Sequence, residues 1–435
     1  MTEKPTSLVV GRPNLVDKAG FLEDVERILK TRLFTNNGPY CEALQRNVEK
    51  YLGVRHCIAV ANATVGLELV LRALEFEPGS EVIVPSYTFI ATVHAVKACG
   101  LVPRFCDVDA KTHLITAESV SACLTRETVA IIGVHLWGLC CDVASLTAVA
   151  KAHEVTLLFD AAHAFGARNH EGIYVGNFGK AEVFSMHATK LFNSFEGGLI
   201  TTNDSDLDSK LRYMLNFGIE DQDLIVSWGT NIKLSEVHAA FANRQLLGIH
   251  RLLDTYRTNA SIYCEEFKRL LGIEVWNERF MSYEGCTHSY ICVEVKDGFP
   301  MSRDEIMAGL RKHHIYAKRY FFPGSHRCKP YISKDVDVDL PNTEQLCRQV
   351  LVLPTGTCIT GADIKKIVGT IEELIKVYHG TSIDTKITTD QSGKQIRLNL
   401  LQIERATLLD KLRQCEEEIE GMCRESTIGS LESNH

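Results

Sequence analysis

The amino-acid sequence predicts an α/β fold with a mostly parallel central sheet, followed by a smaller C-terminal α+β domain and a C-terminal helical tail. The main observation is that short apolar segments, typical of buried strands, alternate with helical segments between residues 57 and 160. A polar turn between the apolar segments 183–186 and 199–201 predicts two further strands. The pattern changes near residue 254, so we expect a large domain at 1–250, a small domain at 251–379 and an extension at 380–435.

The elements of the large domain begin with an amphipathic helix in the first thirty residues, a turn-rich segment at 34–40 and a helix at 41–52. The next strands are predicted at 57–61, 81–85, 102–107, 129–134 and 156–160, and the helices between them at 62–74, 117–124 and 143–153. A helix that begins at Ser235 leads toward the small domain. For that domain the patterns predict helices ending at 271, 313 and 378 and a strand at 290–295.

The last part of the chain carries a heptad pattern. Residues 381–394 are polar and linker-like, and apolar residues then recur at steps of three and four, with one charged interruption at Arg405. The members of the pattern are Leu398, Leu401, Arg405, Leu408, Leu412, Cys415, Ile419 and Met422. The pattern predicts a coiled-coil helix that self-associates or docks on the body, and an amphipathic tail without a dedicated partner is the alternative.

Composition restricts the class of protein. With 45% hydrophobic and 23% charged residues, the chain has the composition of a soluble globular protein. A net charge of -8 argues against nucleic acid as a main partner. The 15 scattered cysteines favour reduced thiols, and no apolar segment approaches the length of a membrane span, so we expect a cytoplasmic protein without a membrane partner.

Lys190 is the first candidate catalytic residue. It lies on the predicted turn between two buried strands, beside Phe192, Phe195 and a pair of glycines. Such surroundings solvate an ammonium poorly, which lowers its pKa and favours the neutral amine that reacts with carbonyl compounds. A surface lysine on a loop is the alternative, since lysines are mostly exposed.

Asp160 is the second candidate, because it ends the predicted strand 156–160. A carboxylate at the carboxyl end of a buried strand faces the crevice in which α/β proteins bind ligands. An acid there, followed about thirty residues later by a lysine on a turn, is the pattern expected of pyridoxal phosphate enzymes, in which the acid keeps the ring nitrogen protonated. His135, His163 and His187 lack the close spacing of a zinc site, so we expect no metal.

Asn62, Ala63 and Thr64 open a predicted helix. A helix start presents free amide donors and a favourable dipole to an anion such as a phosphate. Capping of the helix by the Asn62 side chain is an equally simple explanation of this sequence.

Several motifs together resemble the sugar aminotransferases of the DegT/DnrJ/EryC1/StrS family. They are the segments 160–167, 184–190 and 196–198, which occur in the order of that family, and the similarity extends from about residue 34 to residue 378. The resemblance implies a fold-type I pyridoxal-phosphate transferase with the aspartate aminotransferase fold. It also implies a homodimer whose two subunits share their active sites.

The resemblance assigns roles to residues around pyridoxal 5'-phosphate. Lys190 would bind the cofactor covalently and Asp160 would contact its ring nitrogen. The residues that would surround the rest of it are Phe89 on the ring face, Ala63, Thr64, Ser185 and the partner subunit's Asn231 at the phosphate, and His163. His163 would touch the phenolic oxygen, or it is a structural histidine. The family usually has Ser-Gly-Thr where this chain has 62–64.

For the substrates, the resemblance implies glutamate as amino donor and a 3- or 4-keto-6-deoxy sugar on a nucleoside diphosphate as acceptor. The product would be an amino sugar for polysaccharide or natural-product glycosylation. His326 and Tyr331 lie in a segment similar to one that the family places beside the substrate, and Lys233 stands where the family often has arginine. A lysine there lacks the bidentate donor geometry of arginine.

Two other functions are compatible with parts of the sequence. A sugar dehydratase of the same fold carries histidine in place of the lysine, and this chain has Lys190. A non-catalytic scaffold that recruits partners through the coiled-coil tail is a different class of protein, and it predicts no cofactor.

Overall fold

The computed structural model of the chain describes residues 7–221, 223–332 and 339–384. The heptad pattern at 398–422 therefore lies outside the described residues, and the coiled-coil helix stays a prediction. Of the described residues, those up to 374 form one compact unit, and residues 375–384 belong to a second. The predicted domain boundaries at 250 and 379 stay predictions as well.

The strands in chain order are β1 (Leu8–Val9), β2 (His56–Val60), β3 (Glu81–Pro85), β4 (Val102–Cys106), β5 (Thr128–Val134), β6 (Thr156–Asp160), β7 (Glu182–Ser185), β8 (Gly198–Thr202), β9 (Ile219–Asp221), β10 (Leu224–Ile225), β11 (Ile273–Val275), β12 (Ile291–Val295), β13 (Ile315–Tyr316) and β14 (Val350–Leu353).

The α-helices are α1 (Lys18–Thr31), α2 (Pro39–Leu52), α3 (Ala63–Ala73), α4 (Ile90–Ala98), α5 (Ala117–Ser121), α6 (Val143–Ala152), α7 (Ser205–Met214), α8 (Glu236–Leu247), α9 (Ile249–Phe267), α10 (Arg303–Lys312), α11 (Pro341–Gln349) and α12 (Gly361–Asp384). Short 3-10 helices span Trp276–Phe280 and Ser325–Arg327.

The large sheet has the strand order β2-β8-β7-β6-β5-β3-β4. The strands from β7 to β4 pair in parallel, whereas β8 pairs antiparallel with both β7 and β2. The prediction of a mostly parallel sheet is confirmed. The apolar strands are buried because helices cover both faces of a parallel sheet. This order places the carboxyl end of β6 next to the end of β7, from which the chain continues to Lys190.

The second part of the body is built on the three-stranded antiparallel sheet β11-β12-β14. The helix α9 leads to it and begins directly after Gly248, where α8 ends. The strand β1 pairs in parallel with β13, with Leu8 opposite Ile315. The N-terminal segment is thereby fixed against the chain that follows α10.

The predicted strands agree with the structure to within a residue or two, and α5 ends earlier than expected. The patterns missed α4, α7 and α11, the short strands β1, β9, β10 and β11, and the extension of α12 to Asp384. The helix α4 was missed because its residues, Ile90–Ala98, are apolar on nearly all sides, so that no amphipathic period stands out. Within the described part of the chain, no helix has both the length and the apolar character needed to cross a bilayer.

Candidate active site

A cavity of about 680 Å³ opens at the carboxyl ends of β5 and β6, beside the amino end of α3. Ligands bind at this edge of open parallel sheets because the loops that follow the strands leave a crevice there. Its walls include a set of residues that the sequence predicted for the cofactor site. They are Ala63, Thr64, Phe89, Asp160, His163, Ser185 and Lys190.

Lys190 lies on the turn between β7 and β8 and is partly exposed to the cavity. Its backbone N–H donates to the carbonyl oxygen of His187 at 2.9 Å, and its Nζ donates to the hydroxyl of Tyr290 at 3.3 Å. Burial lowers the pKa of Lys190 to about 8, although the negative charges that Tyr320 and Asp160 can carry oppose this shift. The neutral fraction of the amine is therefore roughly a tenth at pH 7 and about half at pH 8, far more than for an ordinary lysine.

Asp160 is the last residue of β6 and is almost fully buried. Its Oδ1 accepts a hydrogen bond from the backbone N–H of Ala162 at 3.0 Å, and its Oδ2 accepts one from the hydroxyl of Thr92 at 2.8 Å. Burial raises the pKa of Asp160, while both hydrogen bonds and the charge of Lys190 lower it. Each oxygen keeps a second lone pair, so the carboxylate can accept an N–H from a ligand in the cavity.

The amino end of α3 forms another wall. The side chain of Asn62 accepts from the backbone N–H of Val65 at 3.1 Å, which confirms that it caps the helix. The capping does not exclude anion binding, since the first N–H groups of a helix, here those of Ala63 and Thr64, have no partner within it. A Cβ on Gly198 would lie 2.7 Å from the backbone N of Ala63, so glycine allows β8 to pass this close to the helix start.

His163 lies in the wall close to Lys190. Its ring centroid is 4.3 Å from that of Tyr290, and among the described residues its buried Nδ1 has no hydrogen-bond partner. Burial, reinforced by the charge of Lys190, lowers the pKa of His163 well below its usual value, so the ring is neutral. A buried ring nitrogen without a partner at the edge of a cavity is suited to a polar atom of a ligand.

Phe89 is 57% exposed and stands at the beginning of α4, where its ring borders the cavity. An aromatic ring so exposed contributes little to the core, and it can cover one face of a flat ligand.

The cavity therefore presents an amine, an acid, an aromatic ring, a helix start and an unpaired imidazole nitrogen. These groups fit pyridoxal phosphate, which has an aldehyde, a ring nitrogen, a flat ring, a phosphate and a phenolic oxygen.

The structure adds residues to this site that sequence reasoning missed. Thr92 bonds Asp160, Tyr290 bonds Lys190, and the cavity wall also contains Val10, His135, Glu196, Lys318, Tyr320 and Phe321. Thr92 lies three residues after Phe89. A sequence prediction that had included α4 would therefore have placed the two side chains on the same helix face. Tyr290 and Tyr320 carry no comparable signal, because they approach Lys190 only through tertiary packing.

Two predicted site residues, Asn231 and Lys233, lie outside this cavity. Asn231 is exposed and its backbone pairs with Asn216. Lys233 donates from Nζ to Oδ1 of Asn216 at 2.6 Å and lies 5.0 Å from the ring centroid of Phe217. It borders a separate small cavity with Asn37. Within one subunit these residues do not reach the Lys190 site, and their roles stay predictions.

The other two behave similarly: His326 contacts the connection between β3 and α4, and Tyr331 contacts α4 itself. The Nδ1 of buried His326 lies 2.6 Å from the hydroxyl of Ser86, and its Nε2 lies 3.4 Å from Oε1 of Glu344. The hydroxyl of Tyr331 is hydrogen-bonded to His94 of α4. Neither residue lines the cavity in one subunit, so their contact with substrate also stays a prediction.

In the described chain, no group of three or more His, Cys, Asp or Glu residues is arranged to hold a metal ion. His187 is exposed and lies 3.5 Å from the carboxylate of Glu196.

Comparison with known proteins agrees with the resemblance noted in the sequence. The sequence profile of the DegT/DnrJ/EryC1/StrS aminotransferase family matches residues 16–372. The dTDP-4-amino-4,6-dideoxy-D-glucose transaminase of Shigella dysenteriae is 34% identical over 379 residues, which are 86% of this chain and 100% of that protein. The GDP-perosamine synthase of Caulobacter vibrioides is 31% identical, with 80% of this chain and 93% of that protein covered.

Among solved structures, DesI in the presence of its TDP-sugar product superposes with a TM-score of 0.81 at 37% identity. The superposition covers 88% of this chain and 96% of DesI. The predicted fold class, a fold-type I transferase with a mostly parallel sheet, is confirmed.

The lowered pKa of Lys190 leads to a prediction about its reactivity in the cofactor-free protein. Only the neutral amine reacts with an acylating reagent, so the rate of modification at Lys190 should rise with pH and level off above about pH 8. Mass spectrometry of the Lys190 peptide measures this rate. Lys268, an exposed lysine whose pKa is raised by Glu265, is an internal control whose rate should still rise at pH 10. A Lys190 rate that follows that of Lys268 would contradict the prediction.

The Thr92 hydroxyl leads to a second prediction. Thr92→Val keeps the shape but removes a donor whose hydrogen bond lowers the pKa of Asp160, so that pKa should rise. The acidic limb of the pH profile for cofactor affinity should then move to higher pH, with a loss of affinity of about tenfold near neutrality. Thr92→Ser keeps the donor and should stay close to the wild type. Equal profiles for Thr92→Val and the wild type would show that the hydroxyl has no such role.

Proposed function

Since the chain belongs to the DegT/DnrJ/EryC1/StrS aminotransferase family, we propose that it transfers an amino group from glutamate to a keto sugar carried on a nucleoside diphosphate. The products are 2-oxoglutarate and an amino sugar. The observation that supports this most directly is that Lys190 and Asp160 line the same cavity, next to the amino end of α3. The presence of Lys190 disfavours the dehydratase reading, and the family match disfavours a non-catalytic scaffold.

Pyridoxal 5'-phosphate supplies, when bound, the electron sink that makes the α carbon of an amino acid acidic. In the proposed arrangement Lys190 would hold it covalently, and the Asp160 carboxylate would accept a hydrogen bond from its protonated ring nitrogen. Ala63, Thr64 and Ser185, which line the cavity, would contact the phosphate, and Phe89 would cover the ring. Nδ1 of His163 would contact the phenolic oxygen.

Lys190 also moves protons in the proposed reaction. Once the amino group of glutamate has displaced Lys190 from the cofactor, the freed Nζ would take up the proton that leaves the α carbon of glutamate. After 2-oxoglutarate has left and the keto sugar has bound, the same amine would give a proton to the sugar carbon that receives the amino group. A pKa of about 8 allows the amine both to accept and to donate a proton, because its neutral and its protonated forms are both populated near the working pH. The buried Tyr290 hydroxyl, 3.3 Å away, helps to orient the amine between these steps.

The names of the relatives point to the position of amination. The Shigella dysenteriae relative is named for a 4-amino-4,6-dideoxy sugar on dTDP. We propose accordingly that the acceptor here is a 4-keto-6-deoxy sugar rather than a 3-keto sugar. The net negative charge of the chain, -8, implies that the diphosphate is bound by local donors rather than by a general positive field.

The proposed activity is tested with a panel of nucleotide-linked 3- and 4-keto sugars, glutamate and the cofactor. Lys190→Ala should lower the formation of 2-oxoglutarate by about four orders of magnitude or more, because covalent attachment and proton transfer both depend on this amine. Borohydride should fix the cofactor on the Lys190 peptide of the wild type. Asp206→Asn, which changes an exposed acid of α7 that does not line the cavity, serves as a control and should keep wild-type activity. A colourless wild type that cannot be reconstituted would contradict the proposal.

The proposed homodimer places Asn231 in the active site of the partner, in keeping with its exposure and its distance from the Lys190 cavity within one subunit. Mixed dimers test this. A dimer of one Lys190→Ala chain and one Asn231→Ala chain has one site with both defects and one site with neither. If each single variant is strongly impaired, subunit exchange between them should restore up to about a quarter of the wild-type activity. No recovery upon demonstrated exchange would place Asn231 in its own subunit's site or outside any site.

A further inference from the structure

The segment that precedes α1 runs beside the turn that carries Lys190. Val10 lines the cavity, and Gly11 has a φ of 78°. A Cβ on Gly11 would lie 2.7 Å from Cβ of Thr189, so the absence of a side chain lets the segment approach the turn directly before Lys190. The turn is therefore packed against the N-terminal segment, which the sequence patterns left without a role.

Asn14 is the residue of this segment that is bonded to the turn. It is only 1% exposed, and its Nδ2 donates to the backbone carbonyl of Leu191 at 3.0 Å and to the hydroxyl of Tyr256 at 3.0 Å. Its Oδ1 accepts from the backbone N–H of Thr357 at 3.1 Å and from the hydroxyl of Thr357 at 3.0 Å. The amide thus uses both of its donors and both of its acceptor positions.

The main chain of Asn14 adds a second connection. Its carbonyl oxygen accepts from Nε2 of Gln245 at 2.6 Å and from Nδ2 of Asn193 at 3.4 Å. The same Nδ2 lies 3.4 Å from the carbonyl oxygen of Lys190. The carbonyl groups of Lys190 and Leu191 are therefore both held by buried amides of one cluster, composed of Asn14, Asn193 and Gln245.

We propose that Asn14 is a positioning residue that holds the Lys190 turn, so that the lysine amine stays directed into the cavity. The inference rests on the proposed role of Lys190 as the cofactor lysine. Asparagine suits the position because it offers two donors and an acceptor from one small, rigid group. Without it the buried carbonyl of Leu191 would lack its donor, and the turn would move to find another.

The decisive variant is Asn14→Asp. The carboxylate has the same shape and still accepts from Thr357, and the Tyr256 hydroxyl can turn its proton toward it. The hydrogen bond to Leu191 is lost, because a carboxylate oxygen, which can only accept, then faces the carbonyl oxygen of Leu191. Thr357→Val and Tyr256→Phe are matched controls, since each removes another contact of the same amide and leaves its bond to Leu191 in place.

The measurements are the dissociation constant of the cofactor, the rate at which borohydride fixes it on the Lys190 peptide, and kcat and KM, beside the melting temperature. For Asn14→Asp we expect a dissociation constant about tenfold higher, slower fixation and a lower kcat, with KM for the sugar changed less than about twofold. The two controls should lose thermal stability and keep these values near those of the wild type. If Asn14→Asp does not fold, Asn14→Ala, which introduces no buried charge, takes its place in the comparison.

The proposal is overturned if the Asn14 variant resembles its controls in affinity and fixation, even where its melting temperature falls further than theirs. That result would make Asn14 part of the general packing only. It differs from a failure of the proposed function, which would appear in the wild type as an absence of any cofactor fixed on Lys190.

Discussion

The site depends on the removal of one ammonium group from water. Lys190 is held in a cavity whose walls include the sheet edge, α3 and Tyr320, and its amine bonds the buried hydroxyl of Tyr290. Burial is the main cause of its lowered pKa. The nearby Asp160 opposes this effect only in part. Burial also raises the pKa of Asp160, whereas the hydrogen bonds from Ala162 and Thr92 and the charge of Lys190 lower it, so these contacts favour the ionised carboxylate that its proposed role requires.

The strand order is what brings these two groups together. Asp160 ends β6, and Lys190 follows β7, which pairs with β6 in parallel. Parallel neighbours end at the same edge of a sheet, so residues thirty positions apart in the chain face one crevice. The return strand β8 then passes close to the start of α3 through Gly198, and the amino end of this helix borders the same cavity.

The large sheet alone does not complete the site. Tyr290 precedes β12, Tyr320 follows β13, and both lie against Lys190 although they belong to the part of the chain beyond α9. The N-terminal segment closes another side through Val10 and bonds the Lys190 turn through Asn14. The pairing of β1 with β13 ties these two remote parts of the chain to each other, so the surroundings of the lysine are assembled from three distant regions.

The sequence by itself determined the α/β class, nearly all strands of the large sheet, and the residues Lys190 and Asp160, since apolar periodicity and the chemistry of the motifs are local properties of the chain. It also identified the helix start at Asn62 to Thr64. Only the tertiary structure decided that Thr92 bonds Asp160, that Tyr290 bonds Lys190 and that Asn14 bonds the next residue, Leu191. Those contacts join segments between 68 and 177 positions apart, so the sequence carries no periodic sign of them. Packing likewise determines the positions of Asn231, Lys233, His326 and Tyr331. It sets distances between residues that cannot be derived from their separation along the chain.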